Sequence, residues 1–312
     1  MDTNEGATKG LSKVKCWVEA MRLRTLPVSV AGVVTAVAIA LMNGTFQWLQ
    51  SLICLAFALL AQIASNFANE YFDFRAGLDR KGRVGPRRGV TEGDITPRAM
   101  LAAALGTLGV AAALGLTLIC WGGWWLLAAG IVIVIGTLAY STGPYPLSRH
   151  GLGEVAVVFF FGIAPVTLTY YVQAGDCPWQ VWLAALSMGL MGANVLIVNN
   201  YRDADDDRAV GKTTLAVKFG RKFAGRLYLV NGLVATAAMM PVWFEIPVGV
   251  GGIMLQGIGV WILWQQMCRA EGAALNPLLG KTARLMLIVA VCLLICGILV
   301  SLWPESASFI TE

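Results

Sequence analysis

The sequence predicts an all-α, polytopic membrane protein with nine transmembrane helices. The chain of 312 residues is 57% hydrophobic and only 13% charged, and its mean hydropathy is positive. A soluble domain of this length contains much less apolar sequence. Uncharged apolar stretches long enough to cross a bilayer as helices occur nine times, at residues 26–42, 51–69, 99–120, 122–141, 155–173, 179–201, 227–243, 246–267 and 285–303.

The basic residues indicate how these stretches are oriented. All 23 Lys and Arg residues lie in the N-terminal segment or in the connections after stretches two, four, six and eight. Short cytoplasmic loops carry an excess of Lys and Arg, so we expect the N-terminus in the cytoplasm and the C-terminus outside. The net charge of +5 is therefore a topology signal, and we expect no nucleic-acid partner.

The expected organisation is a polar N-terminal tail, residues 1–15, followed by a single transmembrane domain, residues 16–312. The first apolar stretch follows basic residues, as a signal peptide does. Its removal would spoil the charge alternation, so we expect it to remain as the first helix. The seven cysteines form no C-x-x-C pair and lie mostly within apolar stretches, which predicts buried thiols and not a zinc site.

Two polar clusters with the same spacing lie at the ends of the second and sixth stretches. In each cluster, amide and carboxylate side chains stand at positions 0, 3 and 7, which share one face of a helix. Mg²⁺ prefers oxygen ligands and commonly combines one or two carboxylates with substrate phosphates. One such cluster alone is equally typical of a solvated helix end, but the pair predicts a diphosphate held between them. The clusters are Asn66, Asn69 and Asp73, and Asn200, Asp203 and Asp207.

A further carboxylate follows the first cluster. Asp79 lies six residues beyond Asp73 and would leave the shared face if the helix continued. Gly77 is expected to end the helix and to let the backbone turn. This turn would bring Asp79 back toward Asp73.

Basic residues near the clusters are predicted to bind the diphosphate. Arginine contacts phosphate oxygens through charge-assisted, often bidentate hydrogen bonds, so metal ions and basic side chains would share the phosphate groups. Each of these residues also serves as a positive-inside anchor. The predicted set is Arg22, Arg24, Lys81, Arg83, Arg87, Arg88, Arg208 and Lys212.

Aromatic residues near the polar segments are candidates for stabilising a cation. If the diphosphate is allylic, loss of pyrophosphate leaves a carbocation-like carbon, and aromatic faces attract cations. Aromatic residues are also ordinary at membrane interfaces, so we expect a role for only one or two, with Tyr140 as a substrate-binding residue. The candidates are Tyr71, Phe72, Tyr140, Tyr145 and Tyr201.

Several runs of sequence together match a known family. They are the run from Ala61 to Asp73, Gly77-Leu-Asp79, Arg83-Val-Gly-Pro-Arg87, Tyr140-Ser-Thr-Gly-Pro144, Gly151-Leu-Gly-Glu154, and the run from Asn199 to Leu215. These runs resemble the UbiA superfamily of intramembrane aromatic prenyltransferases, and most closely its 1,4-dihydroxy-2-naphthoate polyprenyltransferase branch. Leu23 stands where that branch usually has Pro, and Glu70 where Asp is more frequent.

The resemblance implies a bundle of nine helices around a central cavity, with a lateral opening for a lipid tail. It implies two Mg²⁺ ions that bridge the aspartates to a polyprenyl diphosphate, and transfer of the polyprenyl group to an aromatic acid with loss of CO₂ and pyrophosphate. The enzyme would lie in the cell membrane of a prokaryote, with its active site facing the cytoplasm. The implied catalytic residues are Asn69, Asp73, Asp79, Asn200, Asp203 and Asp207, and the implied metal ligands are the four aspartates.

Some alternatives stay open from the sequence. Other superfamily acceptors are 4-hydroxybenzoate, homogentisate, haem and 1,4-dihydroxy-6-naphthoate. A transporter is the main alternative of another class, although transporters tend to place charge near the membrane midplane. A general base would be one of the aspartates or Glu154, and none is needed if decarboxylation replaces deprotonation.

Overall fold

All regular structure in the described part of the chain is helical, which confirms the predicted class. The computed structural model describes residues 13–82 and 84–302, so most of the predicted N-terminal tail and Arg83 lie outside it. The α-helices are α1 (Lys13–Ala20), α2 (Leu26–Met42), α3 (Trp48–Arg75), α4 (Gly89–Glu92), α5 (Pro97–Thr117), α6 (Ile119–Gly122), α7 (Trp125–Ala139), α8 (Gly153–Val157), α9 (Ala164–Ala174), α10 (Trp179–Ala209), α11 (Leu215–Phe219), α12 (Arg221–Phe244), α13 (Gly249–Arg269) and α14 (Asn276–Leu302).

Each of the nine predicted apolar stretches overlaps one or more helices of the described residues. About 20 residues of helix cover the hydrocarbon core of a membrane. By length and composition, six helical segments of the described residues meet this requirement, so a polytopic membrane protein is confirmed and the number nine stays a prediction. The six are Trp48–Arg75, Pro97–Gly122, Gly153–Ala174, Trp179–Ala209, Arg221–Phe244 and Gly272–Leu302.

The helix ends gather at two faces of the bundle. At one face, Asn43 donates to Tyr170 at 2.8 Å, and the backbone N–H of Gln47 and the hydroxyl of Ser51 both donate to Gln173. Exposed aromatic side chains surround this face, as is typical of a membrane interface, and we call it the aromatic end. The opposite face holds the ends of α3 and α10 and is called the basic end. The aromatic residues are Trp48, Trp124, Trp125, Trp179 and Phe244.

Helix α10 forms the centre of the bundle. Of its apolar window, 72% is buried, more than in any other candidate span. A π-helical turn at Val158–Ile163 packs against it where two glycines meet. A Cβ atom on Gly162 would lie 2.3 Å from the Cα atom of Gly189, so only glycine permits this approach. Close contact through small residues is a common way to join helices within a membrane.

Candidate active site

The first cluster is buried at the basic end of α3, and its three side chains share one face as predicted. Asn69 Nδ2 donates to Asp73 Oδ2 at 3.1 Å, and Arg22 Nη2 donates to Asn69 Oδ1 at 2.6 Å. Asn66 Nδ2 donates to the Met21 carbonyl oxygen at 2.9 Å. The two amides therefore orient the carboxylate and fasten the turn between α1 and α2 to α3.

Arg22 adopts a strained backbone conformation in that turn. Among the described residues it is the only one other than glycine with positive φ, at 53°. This conformation costs roughly 1–2 kcal/mol in an L-residue, and such strain concentrates at functional sites. The turn directs the Arg22 guanidinium to Asn69.

The turn predicted at Gly77 is present. Gly77 has a φ of 68°, and the N–H groups of Gly77 and Leu78 donate back to the last turn of α3 at 3.0 and 2.9 Å, which is a Schellman motif. The chain then brings Asp79 under the loop, where its side chain is 3% exposed and lies 3.5 Å from Arg88 Nε. The predicted return of Asp79 toward Asp73 is confirmed, since both line the same cavity.

The second cluster is buried at the basic end of α10. Asn200 Nδ2 donates to Glu154 Oε1 at 2.9 Å. Asp203 accepts two hydrogen bonds from Arg202, at 2.6 Å from Nε and 2.8 Å from Nη2. Both members of this pair are almost fully buried, so the pair is a fixed part of the helix end.

The end of α10 repeats the end of α3. Gly211 has a φ of 76°, and the N–H of Lys212 donates to the Asp207 carbonyl at 2.9 Å, as in the first Schellman motif. The same 134 residues separate Asp73 from Asp207 and Gly77 from Gly211. This repeat was not predicted from the sequence, although a glycine four residues after each final aspartate was an available signal for it.

A small cavity joins the two clusters. Its volume is about 110 Å³, and both helix ends contribute to its wall. Asp203 does not line it. The residues that line it include Asp73, Asp79 and Asp207, together with Lys81 and Lys212.

The donor chemistry of this cavity fits a hard cation. Within the described residues, no three His, Cys, Asp or Glu side chains are grouped closely enough to hold a metal ion by themselves. Asp73 Oδ1 is nevertheless buried and accepts no hydrogen bond from those residues. Carboxylates that approach from two sides suit Mg²⁺, which takes its remaining ligands from water or substrate phosphate.

Each predicted metal-binding aspartate lies beside a basic side chain. We call these the four aspartate–base pairs. In three of the pairs the charged atoms are 3.5 to 3.6 Å apart, so a small movement would separate them. Only the Arg202–Asp203 pair forms short hydrogen bonds. The distances are 3.5 Å for Asp73–Arg149, 3.5 Å for Asp79–Arg88, 2.6 Å for Asp203–Arg202 and 3.6 Å for Asp207–Lys212.

A larger polar cavity of about 520 Å³ adjoins the small one, because Lys212 lines both. Asn69, Asn200 and Glu154 contribute polar groups to its wall. Basic side chains surround the same space, so an anionic group would be held between them. The predicted substrate-binding residues that line it are Arg22, Arg24, Arg87, Arg88, Tyr140 and Lys212.

The polar cavity continues into an apolar cavity of about 330 Å³ between α2, α3, α5, α7 and α9. We call the shared wall the junction. Tyr140 and Phe161 are its aromatic members. A ligand with an anionic head and an apolar tail would therefore cross the junction. The residues that line both cavities are Gln62, Ser65, Tyr140, Val157 and Phe161.

The remaining predicted residues lie elsewhere. Arg208 is exposed, 3.6 Å from the exposed Asp205, and its role in binding diphosphate stays a prediction. Arg83 lies outside the described residues. The other aromatic candidates line none of the three cavities; they are Tyr71, Phe72, Tyr145 and Tyr201.

Two further residues that shape the site were not predicted from the sequence. Arg149 lies beside Asp73 and donates to the Ser141 carbonyl at 2.9 Å; its signal was that it is the only Lys or Arg in its connection. Glu70 is 1% exposed and accepts the Val90 N–H at 3.0 Å at the start of α4. Glu70 thereby anchors the loop that carries Arg87 and Arg88.

Comparison with known proteins identifies the family. A sequence model described as the UbiA prenyltransferase family matches residues 30–283, which is most of the chain. The chain belongs to the UbiA prenyltransferase family. The resemblance noted from the sequence is thus confirmed over residues 30–283.

Two members of the UbiA family are similar to this chain in sequence over most of its length. A Mycobacterium tuberculosis relative named 1,4-dihydroxy-2-naphthoate octaprenyltransferase is 34% identical over 88% of this chain and 94% of its own. An Escherichia coli relative of the same name is 32% identical over 94% and 98%.

Two solved structures show the same fold. A UbiA homolog from Aeropyrum pernix superposes with a TM-score of 0.68 at 15% identity, over 88% of this chain and 98% of its own. An Archaeoglobus fulgidus homolog bound to DMAPP and Mg²⁺ gives 0.58 at 17% identity, over 87% and 98%.

Proposed function

We propose that this UbiA-family protein transfers a polyprenyl group from an allylic polyprenyl diphosphate to 1,4-dihydroxy-2-naphthoate. The products are demethylmenaquinol, CO₂ and pyrophosphate. The observation that carries the proposal is the continuous series of cavities, which passes from aspartates through basic residues to an apolar wall. The names of the bacterial relatives support the naphthoate acceptor.

The diphosphate would bind where the small and polar cavities adjoin. We propose that Asp73, Asp79, Asp203 and Asp207 hold Mg²⁺, which when bound neutralises charge on the departing pyrophosphate. Asn69 and Asn200 orient neighbouring carboxylates through the hydrogen bonds described above. The basic residues proposed to bind the remaining phosphate oxygens are Arg22, Lys81, Arg83, Arg87, Arg88, Arg208 and Lys212.

The prenyl chain would cross the junction into the apolar cavity. The first carbon of the chain would then lie near Tyr140, whose ring face would stabilise positive charge there. The apolar wall excludes water from that carbon, which favours transfer to the aromatic acceptor over hydrolysis. The polar cavity, on the other side of the junction, has room for the acceptor ring.

We propose that the single transmembrane domain, residues 16–312, spans the cell membrane of a prokaryote nine times. The basic end faces the cytoplasm, and the C-terminus lies outside. The distribution of the 23 Lys and Arg residues and the aromatic side chains at the opposite end support this orientation. Membrane lipid would surround the exposed apolar helix faces.

The deciding experiment is prenyl transfer by the purified protein in detergent. We expect 1,4-dihydroxy-2-naphthoate and a polyprenyl diphosphate to give a prenylated naphthoquinol and CO₂ with Mg²⁺, and no product after chelation. Product only with 4-hydroxybenzoate or another phenolic acid would keep the reaction class and reject the acceptor. No product with any acceptor, from protein with a cooperative melting transition, would reject prenyl transfer.

A further inference from the structure

We propose that Glu154 forms the subsite that recognises the aromatic acceptor, by accepting a hydrogen bond from a ring hydroxyl. This inference rests on the proposed function. It locates the acceptor ring within the polar cavity, at one carboxylate oxygen of Glu154. Glu154 lines the polar cavity beside the junction residue Tyr140.

The two carboxylate oxygens of Glu154 have different surroundings. Oε1 accepts the hydrogen bond from Asn200 Nδ2 at 2.9 Å. Oε2 is buried and accepts no hydrogen bond from the described residues, and the whole residue is only 6% exposed. Buried polar atoms nearly always have a partner, and leaving one without a partner is costly. An oxygen held in place at a cavity wall is therefore suited to a donor on a bound ligand.

Two glycines form the cavity wall next to Glu154. Gly151 and Gly153 both line the cavity. A Cβ atom on Gly153 would approach Leu196 to 3.1 Å and would lie 3.7 Å from the Tyr140 hydroxyl oxygen. A side chain at this position would crowd Leu196 and would lie close to the Tyr140 hydroxyl.

An acceptor ring bound at Glu154 would lie close to the prenyl donor. Asn200, which fixes Glu154, is also the first residue of the second cluster, and Tyr140 lines both the polar and the apolar cavity. A ring bound at Glu154 lies beside the junction that the prenyl chain crosses. Its acid group would turn away from Glu154, because like charges repel, and toward a basic residue of the same cavity, Arg24.

The hydrogen bond to Glu154 also assists the reaction. The allylic C–O bond breaks, and its electron pair leaves with pyrophosphate. A ring carbon forms the new C–C bond, and the C–CO₂⁻ bond then breaks and returns its electron pair to the ring. No net proton is gained or lost at the acceptor. A hydroxyl that donates to a carboxylate makes the ring more electron-rich, which favours the bond-forming step.

The test combines enzyme variants with acceptor ethers. Wild type, Glu154→Gln and Glu154→Ala would be assayed with 1,4-dihydroxy-2-naphthoate and with its two monomethyl ethers. A hydrogen bond to a charged group corresponds to about a 10- to 100-fold effect. We expect wild type to prefer the parent acceptor over one ether by this factor in kcat/KM, and both variants to lose that preference. Glu271→Gln is the matched control, since Glu271 is exposed and lines none of the three cavities.

The outcomes separate the two proposals. Glu154→Gln with unchanged kcat/KM and an unchanged preference would overturn the role of Glu154 while prenyl transfer stands. Equal use of the parent acceptor and both ethers by wild type would also overturn it, whether or not a variant folds. Absence of product from folded wild type with every acceptor would reject the proposed function itself.

Discussion

Asp73 and Asp207 occupy the same position in two matching helix ends. Each is the residue whose carbonyl accepts the closing N–H of a Schellman motif, at 2.9 Å in both cases, and both side chains line one cavity. The glycines that follow, Gly77 and Gly211, have φ angles of 68° and 76°. The two ends of the site are therefore built by the same local geometry, and each end can be tested separately.

Removing charge from either aspartate is expected to abolish turnover. Asp73→Asn and Asp207→Asn each exchange a carboxylate oxygen for an amide of similar volume, which weakens metal binding. We expect kcat to fall at least about 100-fold, with a melting temperature close to wild type. Asp203→Asn should also abolish turnover, but with a lower melting temperature, because it leaves Arg202 buried without its carboxylate partner.

Asp205→Asn is the control for these variants. Asp205 also lies on α10, but its side chain is 69% exposed and it lines none of the cavities. It should retain wild-type activity. Substantial turnover by all three aspartate variants at saturating Mg²⁺ would contradict the two-cluster site.

The two turning glycines are expected to resist substitution. Gly77→Ala and Gly211→Ala force an L-residue into positive φ, at a cost of roughly 1–2 kcal/mol, and shift Asp79 or Lys212. We expect a lower melting temperature and a higher KM for the diphosphate. Gly106→Ala on α5, where a Cβ meets nothing within 4 Å, should have neither effect. If all three variants had the same melting temperature and the same KM, the turns would have no special role in the site.

Arg149 is expected to position Asp73. Arg149→Ala removes the 3.5 Å contact with Asp73 and the hydrogen bond to the Ser141 carbonyl, and we expect kcat to fall about 10-fold. Arg149→Lys keeps the charge but lacks the planar group that reaches several oxygens, so its activity should be intermediate. Arg98→Ala, an exposed change on α5, is the control. Full activity of Arg149→Ala would show that Asp73 needs no such support.

Glu70 is expected to act through the loop that it anchors. Glu70→Ala leaves the Val90 N–H without its acceptor and loosens the loop that carries Arg87 and Arg88, so KM for the diphosphate should rise more than kcat falls. Glu70→Gln retains an acceptor oxygen and should restore most of the binding. The control is Glu92→Ala on α4, the short helix that contains Val90. An equal defect in the Gln and Ala variants would show that the charge of Glu70 matters instead.

The orientation in the membrane can be measured by labelling intact cells. In a background without native cysteines, Pro86→Cys and Ala209→Cys place thiols at the basic end, and Asp176→Cys places one at the aromatic end; all three positions are exposed. We expect a membrane-impermeant maleimide to label only Asp176→Cys. Labelling of the other two from outside would reverse the topology.

The parts of the site that depend on neighbours along the chain were predictable. The shared face of Asn66, Asn69 and Asp73 follows from helical spacing, and the turn at Gly77 follows from the conformational freedom of glycine. The structure confirms both features. They were predictable because no distant segment is needed to form them. The exposure of Arg208 was equally local, since a residue adjacent to Asp207 points to another side of the helix, but the sequence analysis did not use this.

The contacts that distant segments make with Asp73 and with Arg202 were not predictable. Arg149 reaches Asp73 only because the connection after α7 folds back over the end of α3. Asp203 pairs with the adjacent Arg202, whose guanidinium is also held by Asn276 of α14 at 3.1 Å. Contacts between segments this far apart in the chain depend on the packing of the whole bundle, and spacing carries no information about it.

The four aspartate–base pairs bear on how the enzyme is made in the cell. Because every predicted metal-binding carboxylate already has a positive neighbour, the helix ends are close to neutral before any ligand arrives. The bundle can then insert and assemble without waiting for a metal ion, unlike small domains whose folding requires one. The metal ions and diphosphate proposed to bind here would meet a finished site, in which Asp73, Asp79 and Asp207 lie 3.5 to 3.6 Å from their basic neighbours.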